Sequence, residues 1–394
     1  MPPSRHAEVL EEVKNGLSDL SISRPSTRLS WGISVPGDSS QIIYVWVDAL
    51  VNYLTVTGFP WANSDCSTAS SDGRAHGWPA DVHVVGKDIL RFHAVYWPSM
   101  LLAAGLPLPR HIVAHSHWTM DHQKMSKSRG NVVDPFKEIE TYSEDVMRFF
   151  LCRVGGGLAS DSNYSRTTLH EFFDKGLRNQ LGNLIGRVYS KSQKRLLSAV
   201  ADRGEVDVKL ETGSSSGSTA APRYFSIAKP RNCDQRTDAL HEQLEDLGKT
   251  FDAHMSRAEV GRALDAVFAL LAETNAAFQR IAPWSAACTD ADLARIFYYT
   301  LEALRMTALV LAPVMPKKMA EMRQTITVVG TRDQQQQQQE GEEEWETAMK
   351  LRDRVEMQLD GPKTRQLFPK LEMEPETVGQ QSGQESGQTS GART

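Results

Sequence analysis

The chain has 394 residues and carries 44 Lys and Arg against 49 Asp and Glu, a formal net charge of −5. This length suits two or three domains, and the slightly acidic balance is unusual for a protein whose whole surface binds nucleic acid. No run approaches the ~20 apolar residues that span a bilayer, so we expect no membrane insertion. The four cysteines lack Cys-x-x-Cys pairs and matching histidine spacing, which argues against zinc or a disulfide framework.

The charge is unevenly distributed along the chain. From Arg332 onward there are 13 acidic and 8 basic residues, whereas the preceding chain carries 36 of each. Between Arg166 and Arg203 there are 8 basic and only 3 acidic residues. Because a phosphate backbone is attracted to local positive potential, we expect any RNA contact near this basic stretch.

The first third of the chain indicates alternating strands and helices. An amphipathic segment at 7–20 precedes an apolar, β-branched and aromatic run at 42–47, which is typical of a strand. A second strand is predicted at 82–85, a helix at 89–102, and a third strand ends near His117. This order predicts a parallel sheet, with ligands at the carboxyl ends of its strands.

Beyond about residue 134 the apolar spacing is helical. A first long helix is predicted at 169–188, and a second runs from a capping box formed by Ser256 and Glu259 to about Arg280. A third helix is expected after Thr289, ending before a proline. These helices predict a bundle. The fold class is therefore α/β plus all-α: a partial Rossmann-type parallel sheet, then a helical bundle.

Two segments have compositions that predict disorder. A Gly- and Ser-rich run at 213–218 marks an insertion between the first two helices. The C-terminal region contains a glutamine run at 334–339 and ends in a Gly, Ser, Gln and Thr tract from Gly379. Within that region, residues 367–371 form an apolar island that is expected to dock on the body.

The pentapeptide from Lys124 to Ser128 is the most informative stretch. Two ammonium groups, on Lys124 and Lys127, flank Met125 and the hydroxyl donor Ser126. Such a loop can stabilise the charge that develops on pyrophosphate as it leaves an activated acyl group. For an arbitrary Lys-x-x-Lys pair the competing interpretation is a solvated basic loop.

Two further groups of residues favour ligand binding. Trp46, Tyr53, His93 and Trp97 combine large apolar faces with edge donors, which suits a flexible, polarisable side chain such as a thioether, although each residue alone is more often part of a core. In the Gly86-Lys87-Asp88 segment, a carboxylate beside bare backbone at a strand end can accept hydrogen bonds from ribose hydroxyls.

Residues that could bind RNA occur in the helical part. Asn183 and Arg187 are one helical turn apart on the basic stretch, and Trp284 follows a proline at a helix end, where it could stack on an unpaired base. The alternative for the first two is an ordinary solvated helix face.

The chain contains five motifs in the following order: Tyr44-Val45-Trp46-Val47-Asp48-Ala49, Gly86-Lys87-Asp88-Ile89, Lys124-Met125-Ser126-Lys127-Ser128, Gly182-Asn183-Leu184-Ile185-Gly186-Arg187 and Ala282-Pro283-Trp284. The pairs Phe92-His93 and Trp97-Pro98 follow the second of these motifs. In sequence and order they resemble the methionyl-tRNA synthetases, a class I family. The missing zinc-knuckle pattern and the island at 367–371 are most similar to the mitochondrial branch.

The resemblance implies a role for each group. The residues expected to line the methionine pocket are Trp46, Ala49, Tyr53, His93 and Trp97. Those expected to bind ATP are Gly86, Asp88, Lys124, Met125 and Lys127, with Lys124, Ser126, Lys127 and Ser128 catalytic. The anticodon readers are Asn183, Arg187 and Trp284. The implied substrates are methionine, ATP with Mg²⁺ and methionine tRNA, without zinc, on a monomer in the mitochondrial matrix; the chain itself shows no transit peptide.

The resemblance also divides the chain. Residues 1–134 correspond to the second half of the catalytic domain, 135–165 to a connecting region that contacts the tRNA stem, and 166–330 to the anticodon-binding domain, with an insertion at about 204–238. Residues 331–394 form a low-complexity tail, predicted to be mostly disordered.

One departure from the family is large. The first class I signature, a His-Ile-Gly-His-type tetrapeptide that helps bind ATP, is absent from the 394 residues. We therefore expect this polypeptide alone to lack activation chemistry, and its sheet to have an unpaired edge. Two alternatives to a methionine ligase stay open: a tRNA-binding module without activation chemistry, or a class I synthetase for another aliphatic amino acid.

Overall fold

A computed structural model describes residues 3–61, 77–120, 122–125, 130–156, 158, 160–189, 195–196, 198, 208–212, 223–231, 234–325, 345–352, 354–358 and 367–371. Within these ranges no helix has the length and apolar character needed to cross a membrane.

The chain begins with helix α1 (Pro3–Lys14) and a small antiparallel sheet of order β1-β3-β2. Helix α2 (Trp46–Thr55) follows. The prediction of a strand over 42–47 is therefore wrong beyond residue 43, because the helix buries Leu50 and Leu54 on one face and this packing overrides local β propensity. The strands are β1 (Ser23–Pro25), β2 (Ser34–Val35) and β3 (Asp38–Ile43).

The predicted parallel pairing is confirmed by strands β4 (Val82–Gly86) and β5 (His111–His115). They are joined by a continuous helical segment made of a 3₁₀ turn (Lys87–Ile89), a π-helical turn (Phe92–Tyr96) and helix α3 (Trp97–Ala103). One face of β4 is covered, whereas Val82 and Val84 on the other face are 46% and 69% exposed. The sheet described here thus has an uncovered apolar face.

A second small sheet leads into the lysine loop. Strand β6 (Trp118–Met120) pairs antiparallel with β7 (Gln123–Lys124) and parallel with β8 (Ser162–Tyr164). Helices α4 (Pro135–Tyr142) and α5 (Glu144–Gly155) lie between β7 and β8 in the sequence. In the sequence, α4 and α5 therefore separate the hairpin that carries Lys124 from β8, the strand that completes its sheet.

The helical bundle follows. The predicted helix at 169–188 is confirmed as one continuous segment: α6 (Arg166–Glu171), a π-helical stretch (Phe172–Gly182) and α7 (Asn183–Val188). The third predicted helix is confirmed as α10 (Asp290–Leu311). Helix α8 (Asp238–Met255) was not predicted, although Leu240, Leu244 and Leu247 have helical spacing. The remaining bundle helices are α9 (Val260–Ile281) and α11 (Pro316–Thr325).

The predicted capping box at Ser256 and Glu259 is wrong. Glu259 itself is the N-cap residue of α9 and makes no side-chain capping bond. Its carboxylate instead accepts hydrogen bonds from His254 and Arg257 across the turn between α8 and α9. A true capping box occurs at the start of α10, between Thr289 and Asp292.

Chain segments distant in sequence complete the bundle. Strand β10 (Arg223–Ala228) pairs with β9 (Val208–Thr212) and with β11 (Arg354–Gln358), and helix α12 (Trp345–Ala348) precedes β11. The docking predicted for 367–371 is confirmed, because Phe368 is 1% exposed and its ring lies 6.2 Å from that of Phe173. The Gly/Ser run at 213–218, the glutamine run and the Gly379 tract lie outside the described residues.

The buried hydrophobic residues of the described chain form one large and two small clusters. The large cluster extends from Tyr142 to Phe368 and includes most of α10. The regions predicted as connecting segment, bundle and docked island thus share one core. A second cluster is built on α2 and α3, and a third lies around Val85 and Ala114.

We expect Glu302→Gln to destabilise the bundle strongly. Glu302 is fully buried and forms an ion pair at 2.8 Å with Arg305, which also donates to the carbonyls of Ala348 and Lys350. Removing one charge of a buried pair leaves the other uncompensated, so the free energy of unfolding should fall by about 3 kcal/mol in a denaturant titration.

The exposed pair between Arg5 and Glu8 provides the control. Glu8→Gln should change the free energy of unfolding by less than ~1 kcal/mol, because solvent screens that pair. Equal effects of the two substitutions would contradict the structural role assigned to Glu302.

Candidate active site and RNA-binding face

Helix α2 presents the first group of predicted pocket residues. Trp46, Ala49 and Tyr53 are spaced three and four residues apart, so they lie along one side of the helix. Ala49 is exposed and the two aromatic residues are half-buried. The indole Nε1 of Trp46 donates to the carbonyl of Ser21 at 3.0 Å, which fixes the ring at the start of the helix.

Tyr53 and His93 join α2 to the helical segment after β4. His93 Nδ1 lies 2.9 Å from the carbonyl oxygen of Ile89, and its Nε2 lies 2.8 Å from the hydroxyl of Tyr53. A carbonyl can only accept, so Nδ1 carries the proton. In the neutral ring Nε2 then accepts from the Tyr53 hydroxyl. The pair is a polar contact between aromatic surfaces.

The other aromatic residues support this pair from behind and from the side. Trp97 is only 1% exposed and packs in the core beneath Tyr53, with 6.0 Å between the ring centroids. Trp46 is flanked by Phe92 and Tyr96, whose rings are 5.7 and 5.6 Å away. The structure thus brings four predicted residues, Trp46, Tyr53, His93 and Trp97, into one aromatic cluster.

His83 belongs to the same cluster but was missed by sequence reasoning. It points inward from β4, is 4% exposed, and its ring is 4.2 Å from that of Tyr53. Both ring nitrogens lack a hydrogen-bond partner among the described residues. Burial, and secondarily the nearby His93, lowers the pKa of His83, so its ring is neutral near pH 7. Its alternating position in a predicted strand was the available signal.

Gly86 and Asp88 lie together at the carboxyl end of β4. A Cβ atom at Gly86 would be 2.6 Å from the Asp88 carboxylate oxygen, so a larger residue at this position would displace that side chain. The carboxylate lies 3.2 Å from Nε2 of His117, just beyond the end of β5. An exposed acceptor is thus held at the sheet edge where ligands of parallel sheets bind.

An ion pair connects this edge to the hairpin sheet. Lys87 Nζ is 2.7 Å from Asp161, and the backbone N–H of His117 donates to the same carboxylate at 2.9 Å. Together, chiefly through the Lys87 hydrogen bond, these contacts lower the pKa of Asp161. Asp161 immediately precedes β8, and no sequence pattern had indicated it.

The lysine loop is only partly within the described residues. The backbone of Lys124 pairs with Thr119 in the hairpin, and Met125 is half-buried against the large core. The side chain of Lys124, and Ser126, Lys127 and Ser128 entirely, lie outside the described residues. Their approach to the aromatic cluster stays a prediction.

Two of the three predicted RNA-binding residues, Arg187 and Trp284, contact Phe278 of α9. Arg187 donates to the side-chain oxygen of Asn275 at 2.8 Å, and its guanidinium lies 5.8 Å from the Phe278 ring. Burial lowers the pKa of Arg187, although an arginine stays charged at pH 7. Asn183, one turn earlier, is exposed.

Trp284 also packs against this phenylalanine. Its indole is 59% exposed, and the ring is 6.4 Å from that of Phe278 at an interplanar angle of 34°. It follows Ala282, which ends α9 in the left-handed conformation with φ of 49°. The structure therefore brings Arg187 and Trp284 to one face, with an exposed ring available for stacking.

Among the described residues, no group of three or more His, Cys, Asp and Glu side chains is arranged to hold a metal ion. Any divalent cation at the sheet edge would depend mainly on ligands supplied by a substrate, as Mg²⁺ commonly does with phosphates.

Comparison with known proteins gives two family matches that follow one another along the chain. Residues 1–189 match the family described as tRNA synthetases class I (M), and residues 228–353 match the anticodon binding domain of methionyl tRNA ligase. The boundary between the matches falls between the end of α7 and strand β10.

Individual relatives agree with both matches. The chain is 40% identical over 333 residues to a probable mitochondrial methionine–tRNA ligase of Neurospora crassa, covering 83% of this chain and 50% of the relative. It is 40% identical to the corresponding Schizosaccharomyces pombe protein, covering 82% and 54%. The chain thus spans about half the length of these relatives.

A solved structure supports the same assignment. Mycobacterium tuberculosis methionyl-tRNA synthetase, bound by methionyl-adenylate, superposes with a TM-score of 0.68 at 32% identity, covering 94% of this chain and 64% of that one. Sequence, domain order and fold agree throughout the matched regions. The chain therefore belongs to the methionyl-tRNA synthetase family.

Proposed function

We propose that this chain serves as the second catalytic half and anticodon-binding part of a methionine–tRNA ligase. The reaction is activation of methionine by ATP to methionyl-adenylate, followed by transfer to methionine tRNA. The observation that carries the proposal is the continuous helical segment from Lys87 to Ala103. Asp88 lies in its first turn, at the end of β4, and the same segment carries His93 and Trp97. One rigid segment thus presents both a ribose acceptor and an aromatic, uncharged pocket wall.

The pocket residues suit methionine by polarity. The Tyr53 hydroxyl and both ring nitrogens of His93 have hydrogen-bond partners, so these two groups do not need a polar partner on the amino-acid side chain. A thioether gains polarisable contacts with aromatic rings, here those of Trp46 and Tyr53. Ala49 leaves room between these two rings, and Trp97 fixes Tyr53 from below. A charged amino-acid side chain would be desolvated without compensation.

Three parts of the chain contact the nucleotide: the backbone at Gly86, the carboxylate of Asp88 and the lysine loop. Gly86 allows close approach of the adenosine part, and Asp88 accepts hydrogen bonds from its ribose hydroxyls. Lys124 and Lys127, with Ser126 and Ser128, neutralise the pyrophosphate as it departs. Mg²⁺ accompanies ATP on its phosphate oxygens.

The helical part supplies tRNA recognition. Asn183 and Arg187 provide polar contacts, and Trp284 provides a stacking platform for an anticodon base. We assign residues 1–134 to the catalytic half, 135–165 to the stem-contact region, 166–330 to the anticodon-binding domain and 331–394 to the tail. The protein acts as a monomer in the mitochondrial matrix, a localisation supported by the relatives described as mitochondrial.

A tRNA-binding module without activation chemistry is the second candidate. It is favoured by one observation: Arg187 and the exposed Trp284, two residues predicted to bind RNA, both lie against Phe278. A synthetase for another aliphatic amino acid is disfavoured, because the relatives quoted above are named for methionine.

The first test is methionine-dependent ATP–pyrophosphate exchange by the 394-residue polypeptide. We expect little or no exchange, because half of the family's nucleotide site is not part of this polypeptide. The full-length Neurospora crassa relative, assayed in parallel, is the positive control. Exchange at a rate near that of the control would contradict the expectation.

The second test is binding of methionine tRNA by the same polypeptide. Trp284→Ala should weaken binding by about 1–3 kcal/mol in a filter-binding titration, the usual contribution of a stacked base. Trp31→Ala is the matched control, because Trp31 is also highly exposed, at 86%, but lies in the N-terminal sheet region. Unchanged affinity of Trp284→Ala would remove Trp284 from the RNA site.

A further inference from the structure

The loop between α9 and α10 holds Trp284 in a defined turn. Its N-terminal side starts at Ala282 with a positive φ, and Ser285 N–H donates to the Ala282 carbonyl at 2.8 Å. Cys288 N–H then donates to the Ser285 carbonyl at 3.3 Å, before the capped start of α10. These local bonds fold the turn, and the carbonyls of Pro283, Ser285 and Cys288 accept further hydrogen bonds.

One side chain from a distant part of the sequence binds those carbonyls. Arg195 Nη1 donates to the carbonyls of Pro283 at 3.1 Å and Ser285 at 2.8 Å, and Nη2 donates to that of Cys288. Trp284 lies directly between the first two acceptors in sequence. All three acceptors belong to the turn that carries Trp284.

The geometry matters because a guanidinium is a rigid planar fork with donors in fixed directions. Three acceptors bound to one fork cannot move independently, so the backbone on both sides of Trp284 is held in one arrangement. An exposed aromatic ring that is already oriented loses less conformational entropy when a base stacks on it than a ring on a mobile turn. Preorganisation of this kind raises affinity without any contact between the arginine and the ligand.

We propose that Arg195 is a positioning residue for RNA binding, which presets the Trp284 turn for stacking on an unpaired base. This inference rests on the proposed function, because it needs Trp284 to contact RNA. It differs from the usual role of a basic residue in a basic stretch, which is direct attraction of phosphate. The two roles make different predictions for coupling to Trp284 and for salt dependence.

The test is a double-mutant cycle on the full 394-residue chain with methionine tRNA, using Arg195→Met, Trp284→Ala and the double variant. Methionine keeps much of the aliphatic length but removes all donors. We expect each single variant to weaken binding about tenfold, a value within the range for loss of one stacked base. The double variant should bind no more weakly than Trp284→Ala, because Arg195 acts only through that ring.

Salt dependence separates positioning from phosphate contact. Loss of one phosphate contact lowers the slope of log affinity against log salt by about 0.7 for single-stranded nucleic acid. For Arg195→Met the slope should equal that of the wild type. A second criterion is that the loss should disappear when the tRNA anticodon bases are replaced, since no cognate base then stacks on Trp284.

Two controls show that the effect is local. Arg24 also donates to two backbone carbonyls, those of Ser21 at 3.3 Å and Ser23 at 2.8 Å, but in the N-terminal sheet region. Arg24→Met should leave tRNA affinity unchanged. Thermal melts establish folding of every variant. If Arg195→Met does not fold, Arg195→Lys replaces it in the cycle, because lysine keeps the charge but cannot form the three-carbonyl fork.

The outcomes are distinguishable. If Trp284→Ala binds tRNA like the wild type, the proposed anticodon role fails and this inference fails with it. If Trp284→Ala is weakened but the Arg195 and Trp284 losses multiply in the double variant, only this inference is overturned. A reduced salt slope for Arg195→Met also overturns it, in favour of a direct phosphate contact.

Discussion

The burial of most of helix α10 is the constraint on which the helical part of the protein depends. Four consecutive residues, from Phe297 to Thr300, are each at most 1% exposed. Because a helix turns about 100° per residue, four successive buried positions face all directions, so the helix must be enclosed. Helices α7, α8, α9 and α11 and strands β10 and β11 all contact it. Residues that follow the bundle helices in the sequence are therefore part of the same core, and Glu302 and Arg305 form hydrogen bonds to their backbone.

The same core supports Arg187 and Trp284, the residues proposed to bind RNA. Phe278 is 1% exposed and belongs to the large cluster, yet its ring contacts both Arg187 and Trp284. The aromatic cluster of Trp46, Tyr53, His93 and Trp97, in contrast, packs on the small hydrophobic cluster that contains Leu50 and Leu54. The two groups of candidate site residues thus depend on different hydrophobic clusters. The ion pair between Lys87, at the carboxyl end of β4, and Asp161, which precedes β8, connects the two regions.

Local periodicity was sufficient to predict long elements and insufficient for contacts between them. The helices at 169–188 and after Thr289 were predictable because their apolar residues recur with a period near 3.6. The run at 42–47 was misleading, because β-branched residues are compatible with a helix when its next turns are buried. The Ser256–Glu259 spacing matched a capping box, but tertiary partners of Glu259 determined its structure. Asp161 and Arg195 carry no local signature, since their contacts are with residues distant in sequence.

The division of the described interior into one extensive cluster and two minor ones has a consequence for cooperativity. Cooperative unfolding units follow contiguous packing, and segments with few buried contacts open at lower free energy. The region around the parallel strand pair has few enclosed side chains and an uncovered apolar face, so its amides exchange hydrogen before those of α10 do. We therefore expect a single melting temperature to describe the unfolding of the bundle only. The region around the parallel strand pair should unfold in a separate transition.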